Sequence, residues 1–314
     1  MYLTKKLKIV FLFLFISFFN VKDLSSLENK ILFKVDNEII TTIDIHEEIK
    51  FLKTFSPETN SLSEEELYEI SKNSIIRDKI KKIEIMNYVE EIKVEDKFLL
   101  NLIKNKYSRK GIDTLENFEN YLKSNNLNTK IIREKLSIEL IWNDIVYQKF
   151  NEKIIVDKVK IKKEILQTPQ KEMQKELLLS EIVFDVENKA DYENKYQEIL
   201  QNIIKNGFKK TALIFSNSDT ASNGGLIGWV KEDNLNKTIK EIVSKLKLGE
   251  FSKPIRTSSG FIIILVEDEK KSESKFNLDD KVEEIVRFKI NNQLNQFSSM
   301  YLNKIKKDLT IYGL

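Results

Sequence analysis

Ser222-Asn223-Gly224-Gly225-Leu226-Ile227-Gly228-Trp229 is followed further along by Leu248-Gly249-Glu250-Phe251-Ser252-Lys253-Pro254-Ile255-Arg256-Thr257-Ser258-Ser259-Gly260-Phe261. Glycine loses more backbone freedom on folding than any other residue, so adjacent glycines persist where the chain must turn or close in on itself. Five of the eight glycines (Gly224, Gly225, Gly228, Gly249, Gly260) fall in this window. Special backbone geometry is therefore concentrated in one region. The short runs 225–230, 253–256 and 260–266 read as strands around it. Upstream, residues 177–184 read as a buried strand, and 192–205 as a helix ended by Asn206-Gly207. Strand and helix mixed within about 90 residues predict a small α+β domain.

Outward from that domain the chain turns helical. Ile31 to Ile40 holds two β-prone runs around Asp36-Asn37, a turn pair. Thr41-x-x-Asp44 has capping-box spacing and opens a helix through Leu52. Further helices are expected over 64–91, 95–107, 115–123, 129–150 and 158–166. The 129–150 segment carries Ile138, Ile141, Trp142 and Ile145 at amphipathic spacing, with Trp142 as a core anchor. Residues 267–275 hold seven charges in nine positions and predict an exposed linker, as do 167–175 with Thr168-Pro169. Beyond it, Val286, Ile290, Leu294, Phe297, Tyr301 and Ile305 form an apolar stripe on a long helix that must pack on something. Thr310-Ile311-Tyr312 closes the chain as a strand.

The 314 residues exceed one ordinary core, so two compact units are expected. Lys5, Lys6 and Lys8 precede the apolar run Ile9 to Phe19, which is too short to span a bilayer and has the layout of a signal peptide over residues 1–26. An uncleaved anchor is the alternative. Removing 1–26 takes away four lysines and one aspartate, a net +3, from a chain whose net charge is +3. The remainder is near neutral, which argues against nucleic acid as a partner. The chain has no cysteine, and its one histidine is His46 on the first helix, a surface or capping residue. Thiol catalysis, His-based triads and Cys or multi-His metal sites are excluded. No G-x-x-x-x-G-K-[ST] occurs, so no nucleotide site is expected, and no motif calls for a cofactor or metal.

Over residues 177–268 the glycine spacing resembles a parvulin-type peptidyl-prolyl isomerase domain. That family reads G-G-(D/Q)-L-G-W, then G-(E/D)-(I/V)-(S/V)-x-P-(I/V)-x-(T/S), then G-(Y/F)-H-I-(I/L)-x-V. The resemblance implies a shallow pocket for X-Pro peptides with two histidines. The first histidine position falls on Glu181, in Ser180-Glu181-Ile182-Val183, and the second on Ile262. The family's Cys/Asp position falls near Ser218 or Asp219. Its Met/Leu and Phe positions fall on Leu235 and Ile239, so the aromatic is missing. Leu226 replaces the usual residue after the double glycine. Peptide-binding positions are thus expected at Leu226, Leu235, Ile239 and Phe261, and the degenerate pocket positions are Glu181, Ser218, Asp219 and Ile262. Isomerisation must lower a barrier of about 18–20 kcal/mol. That requires a dry proline cup and polar groups aimed at the rotating carbonyl. With both imidazoles and the Phe replaced, weak or absent turnover with retained peptide binding is expected.

The entry segment, residues 33–45 (F-K-V-D-N-E-I-I-T-T-I-D-I), is similar to the A-x-V-N-x-x-V-I-T-x-S-D-(L/V) of SurA-type periplasmic chaperones. In that family the C-terminal helix and strand return to complete the N-terminal domain, which gives the orphan amphipathic helix a partner. The expected fold is α+β: signal peptide 1–26, helical chaperone domain 27–166, linker 167–175, parvulin-like domain 176–268, and a linker, helix and strand over 269–314. The resemblance implies ATP-independent binding of unfolded outer-membrane β-barrel precursors or other secreted polypeptides in the periplasm, with the outer-membrane assembly machinery as a further partner. Two alternatives stay open. One is an active isomerase in which Ser218, Asp219 or Glu181 substitutes for the missing groups. The other is a membrane-anchored folding factor similar to PpiD.

Overall fold

The computed structural model describes residues 29–167, 173–186, 188–257, 260–273 and 277–313. The expected signal peptide lies outside them. Strands β1 (Ile31–Val35) and β2 (Glu38–Thr41) form a hairpin whose turn holds Asp36 at φ 48°. The first helix, α1 (Thr42–Phe55), starts at the box read from the sequence: the Thr41 hydroxyl accepts from the Asp44 N–H, and the Asp44 carboxylate accepts from the Thr41 N–H. Ser63 and Glu66 repeat the device at α2 (Glu64–Ile85). This helix stops short of the expected Glu91, because the chain turns through Met86 to Tyr88, where Tyr88 N–H bonds the Ile85 carbonyl. Helices α3 (Asp96–Tyr107), α4 (Leu115–Ser124), α5 (Thr129–Phe150) and α6 (Lys158–Gln167) follow.

Next comes the inserted domain, with β3 (Met173–Phe184), α7 (Lys189–Asn206), α8 (Phe208–Phe215), β4 (Leu226–Lys231), α9 (Lys237–Val243), β5 (Ile255–Thr257) and β6 (Gly260–Glu273). The chain ends with α10 (Leu278–Asp308) and β7 (Ile311–Gly313). The class is α+β, with two separate antiparallel sheets ordered β2-β1-β7 and β4-β3-β6-β5.

The first sheet ties the two ends of the described chain together. Lys34 pairs with Tyr312 and Val35 with Ile311, so the closing strand completes the N-terminal unit. The apolar stripe of α10 finds its partners there. Leu294, Phe297 and Ile305 pack on a core of Val35, Ile40, Ile80 and Trp142, and Tyr301 is buried within it. Trp142 is fully buried and stacks on Tyr301 with ring centroids 5.4 Å apart. A second core, around Phe118, Leu122, Leu99 and Ile103, holds α3 and α4 on α5. The upper part of α10 meets α6 through Val282, Ile285, Ile161 and Ile165. With 31 residues, α10 is roughly 46 Å long, enough to run from the N-terminal unit past the inserted domain.

The linkers expected at 167–175 and 267–275 are corrected in part. Residues 173–178 and 268–273 continue β3 and β6 as a paired ribbon, with Met173 opposite Glu273 and Leu177 opposite Glu269. The charge density that suggested a linker supplies cross-strand pairs instead. Lys175 meets Glu269 at 2.7 Å, Lys270 meets Glu176 at 3.2 Å, and the Lys270 ammonium lies over the Trp229 ring.

Candidate peptide-binding site

Side chains alternate across a strand, so every second residue of β3 and β6 faces one side of the sheet. On one side Ile182, Phe184, Ile263 and Leu265 pack under α7 and α8 with Ile199, Ile203, Phe208 and Ala212. On the other, Leu179, Glu181 and Val183 of β3 and Ile262 and Ile264 of β6 wall a cavity of about 380 Å³. The register sets Ile264 opposite Glu181 and Ile262 opposite Val183. Two expected pocket positions therefore stand side by side on one floor.

Glu181 owes its place to the double glycine. Its N–H donates to the Gly225 carbonyl at 2.8 Å, and Gly225 sits at φ +80° with no room for a side chain. A Cβ there would meet the Glu181 carbonyl oxygen at 2.1 Å. The second constraint is Gly260, at φ +122°, where a Cβ would lie 2.5 Å from the Phe184 carbonyl oxygen. These two glycines let backbones approach at both ends of the floor.

A string of hydroxyls leads to the Glu181 carboxyl. Ser216 Oγ lies 2.9 Å from Ser218 Oγ, which lies 2.7 Å from Thr220 Oγ1, and Thr220 donates to Glu181 Oε1 at 3.0 Å. Burial pushes the Glu181 carboxyl above the ordinary carboxylate range, against the lowering effect of its Thr220 and Ser218 hydrogen bonds; nearby Asp219 adds to the rise. In its neutral form this group is a hydrogen-bond donor where the hydroxyl string meets the apolar residues of the sheet. Ser216 and Thr220 were missed from sequence, because they lie in a loop and in the short 3-10 helix Asp219–Asn223, where no strand or helix period marks which way a side chain faces.

Ser218, Leu235 and Ile239 join Glu181 and Ile262 at the cavity. Three expected residues do not. Phe261 points to the opposite face of the sheet, where it stacks between Phe184 and Tyr192, because it is one residue out of phase with Ile262. Leu226 is likewise absent from the walls, and its neighbour Ile227 supplies that surface. Asp219 leaves the pocket altogether. Its carboxylate binds Lys81 of α2 at 2.8 Å and accepts from Ser298 of α10 at 3.1 Å. Burial would raise Asp219, but the Lys81 charge and these hydrogen bonds hold it below its usual range.

The remaining wall comes from α10. Phe288, Asn292, Asn295, Gln296 and Ser299 face the cavity across from the sheet. Phe288 packs on the same apolar cluster as Leu235, Ile239, Ile262 and Ile264. An aromatic thus reaches this cluster from a distant helix, although position 239 is Ile. Glu284 holds that helix in place by accepting from Lys231 at 2.5 Å and from Asn234 at 2.9 Å.

The Rotamase family, described as the PPIC-type PPIASE domain, matches residues 168–268. Chaperone SurA of Hahella chejuensis is 26% identical over 203 residues, covering 62% of this chain and 46% of that protein. Chaperone SurA of Pseudomonas aeruginosa is 27% identical over 197 residues, 60% of this chain and 47% of its own. Residues 168–268 carry a PpiC-type domain, and the chain is similar to SurA-type chaperones. Foldase protein PrsA of Bacillus subtilis is 33% identical over 106 residues, 33% of this chain and 35% of that one. The chain spans less than half the length of each of these three relatives.

The PpiC-type domain is not isolated from the helical unit. Leu213 of α8 is buried with Leu52, Leu62, Leu67 and Ile70. Arg77 donates to the Ser216 carbonyl at 3.1 Å, and Ser56 donates to the Ser222 carbonyl at 3.0 Å. The site is therefore a cleft between the PpiC-type sheet and α10, with its back fixed to α2.

Proposed function

We propose that this chain is an ATP-independent periplasmic chaperone that holds unfolded polypeptides, outer-membrane β-barrel precursors among them, and that its PpiC-type domain binds peptide with weak or no isomerase turnover. The observation that carries this reading is the composition of the cavity. Around Glu181 its sheet floor is apolar (Leu179, Val183, Ile262, Ile264), α10 adds Phe288 beside the amide and hydroxyl side chains of Asn292, Asn295, Gln296 and Ser299, and no imidazole stands at either family position. Such a surface suits an extended apolar segment. The similarity to SurA and PrsA proteins supports the chaperone half of the reading. Among the described residues no helix is long and apolar enough to cross a membrane.

The test is paired. In a proline-tetrapeptide isomerisation assay the full chain should give rates close to the uncatalysed ones, while without ATP it suppresses aggregation of an unfolded outer-membrane protein. Robust proline turnover would sink the first half, and unhindered aggregation the second. One observation favours a second reading, an active isomerase: the raised Glu181 carboxyl could donate to the rotating carbonyl when neutral. Turnover would then rise as the pH falls.

A further inference from the structure

A second hollow, of about 680 Å³, lies beside the PpiC-type cavity between α6, α9 and the start of α10. Buried Ile161, Ile165 and Ile285 form its apolar side. Ile155, Leu235, Asn236 and Lys289 line both hollows, so the two adjoin. Its walls differ in charge from those of the cavity. Lys160, Lys237, Lys240, Lys281 and Lys289 converge on it, against the carboxylates Asp157, Glu164 and Asp233.

Those carboxylates are already engaged within the chain. Asp233 is shared between Lys240 at 2.7 Å and Lys281 at 3.6 Å. Asp157 accepts from the Lys160 backbone N–H at 2.8 Å, capping α6. Glu164 also has a partner. On the basic side, Lys160 and Lys289 form no ion pair among the described residues, and Lys237 reaches Glu241 only at 4.0 Å with its side chain 91% exposed. Single exposed ion pairs are weak. The two unpaired ammonium groups and the loosely held Lys237, grouped around one hollow, act together over a distance of about 10 Å at 0.1 M salt.

We propose that this lysine-rimmed hollow is a second peptide subsite, taking acidic side chains that flank the apolar client segment seated in the PpiC-type cavity. It rests on the reading of that cavity as a peptide site. The occupant is one extended stretch of unfolded polypeptide, apolar in the cavity and rich in Asp or Glu where it passes α6 and α9.

Fluorescence anisotropy with the full chain tests it, using three labelled peptides that share one apolar, proline-containing core and carry three Glu, three Gln or three Lys on one flank. At about 50 mM salt the Glu peptide should bind roughly tenfold more tightly than the Gln peptide and the Lys peptide more weakly than either. The Glu advantage should vanish at about 0.5 M salt. In a Lys160→Glu/Lys237→Glu variant, both changes being at exposed positions, the Glu peptide should lose its advantage over the Gln peptide. Equal binding of the Glu and Gln peptides overturns the subsite while leaving the cavity reading intact. An advantage that persists in the double variant also overturns it, since the charge would then be read elsewhere. Failure of all three peptides to bind overturns the subsite and the cavity reading together.

Discussion

At the scale of single residues, the informative positions are those where a family pattern is broken and the replacement is not a neutral filler. Ile262 completes an apolar floor, but Glu181 brings a carboxyl to the same floor and is pushed above its ordinary range by burial. A carboxyl raised in the folded state stabilises the fold below its unfolded value. That contribution is lost as the pH rises through the folded value, because the ionised form is then held where it is poorly solvated. Glu181→Gln keeps an oxygen for the Thr220 hydroxyl and removes the ionisation. Urea unfolding should find the variant more stable than the parent at pH 7, with the difference shrinking toward pH 4. A constant difference across that range would mean that ionisation of Glu181 has no part in it.

At the scale of elements, much was legible. The capping boxes at Thr41 and Ser63 satisfy their own helix starts locally, so α1 and α2 begin where the residues say. The apolar spacing around Trp142 likewise set the 129–150 helix, which runs over those residues in the structure. The ribbon of 173–178 with 268–273 was not legible, because its strands are charged on both faces and only the pairing of Lys175 with Glu269 reveals why. Nor was the roof of the site. Phe288 lies 49 residues beyond Ile239 in sequence, and no local pattern says that α10 will cross the PpiC-type sheet. Its stripe told that the helix packs, not that a second flank faces a cavity. Phe288→Ala tests that flank. A half-buried phenyl on an apolar cluster is worth about 1–1.5 kcal/mol to a ligand that shares the wall, so peptide affinity should fall roughly five- to tenfold by anisotropy. Tighter binding would show instead that α10 obstructs the cleft.

At the scale of the whole molecule, the position expected to serve the pocket holds the two units together. Asp219 joins Lys81 of α2 to Ser298 of α10, and Ser298 in turn accepts from the Trp142 indole N–H at 2.9 Å. The Lys81 ammonium also lies 5.6 Å from the Trp142 ring centre. Because the folded state holds the Asp219 carboxyl below its usual range, its stabilising contribution is fully present above the unfolded aspartate value of about 3.9 and lost as the pH falls through the lower folded one. The link should therefore be unaffected between pH 5 and 8. Asp219→Ala leaves Lys81, only 8% exposed, without its carboxylate. Breaking a fully buried pair costs about 3–5 kcal/mol. The Asp219 side chain is still 38% exposed, so solvent screening reduces the expected loss to about 1–2 kcal/mol. That loss belongs to the contact between units and not to the PpiC-type core. Native-state amide exchange should quicken in α8, in 216–223 and in the facing part of α2, while Ile182 and Ile263 in the sheet keep their protection. Uniform acceleration across the sheet would place Asp219 in the folding of the inserted domain itself. Faster exchange confined to the boundary would leave a PpiC-type domain that can swing away from α10, opening the cleft on which peptide capture depends.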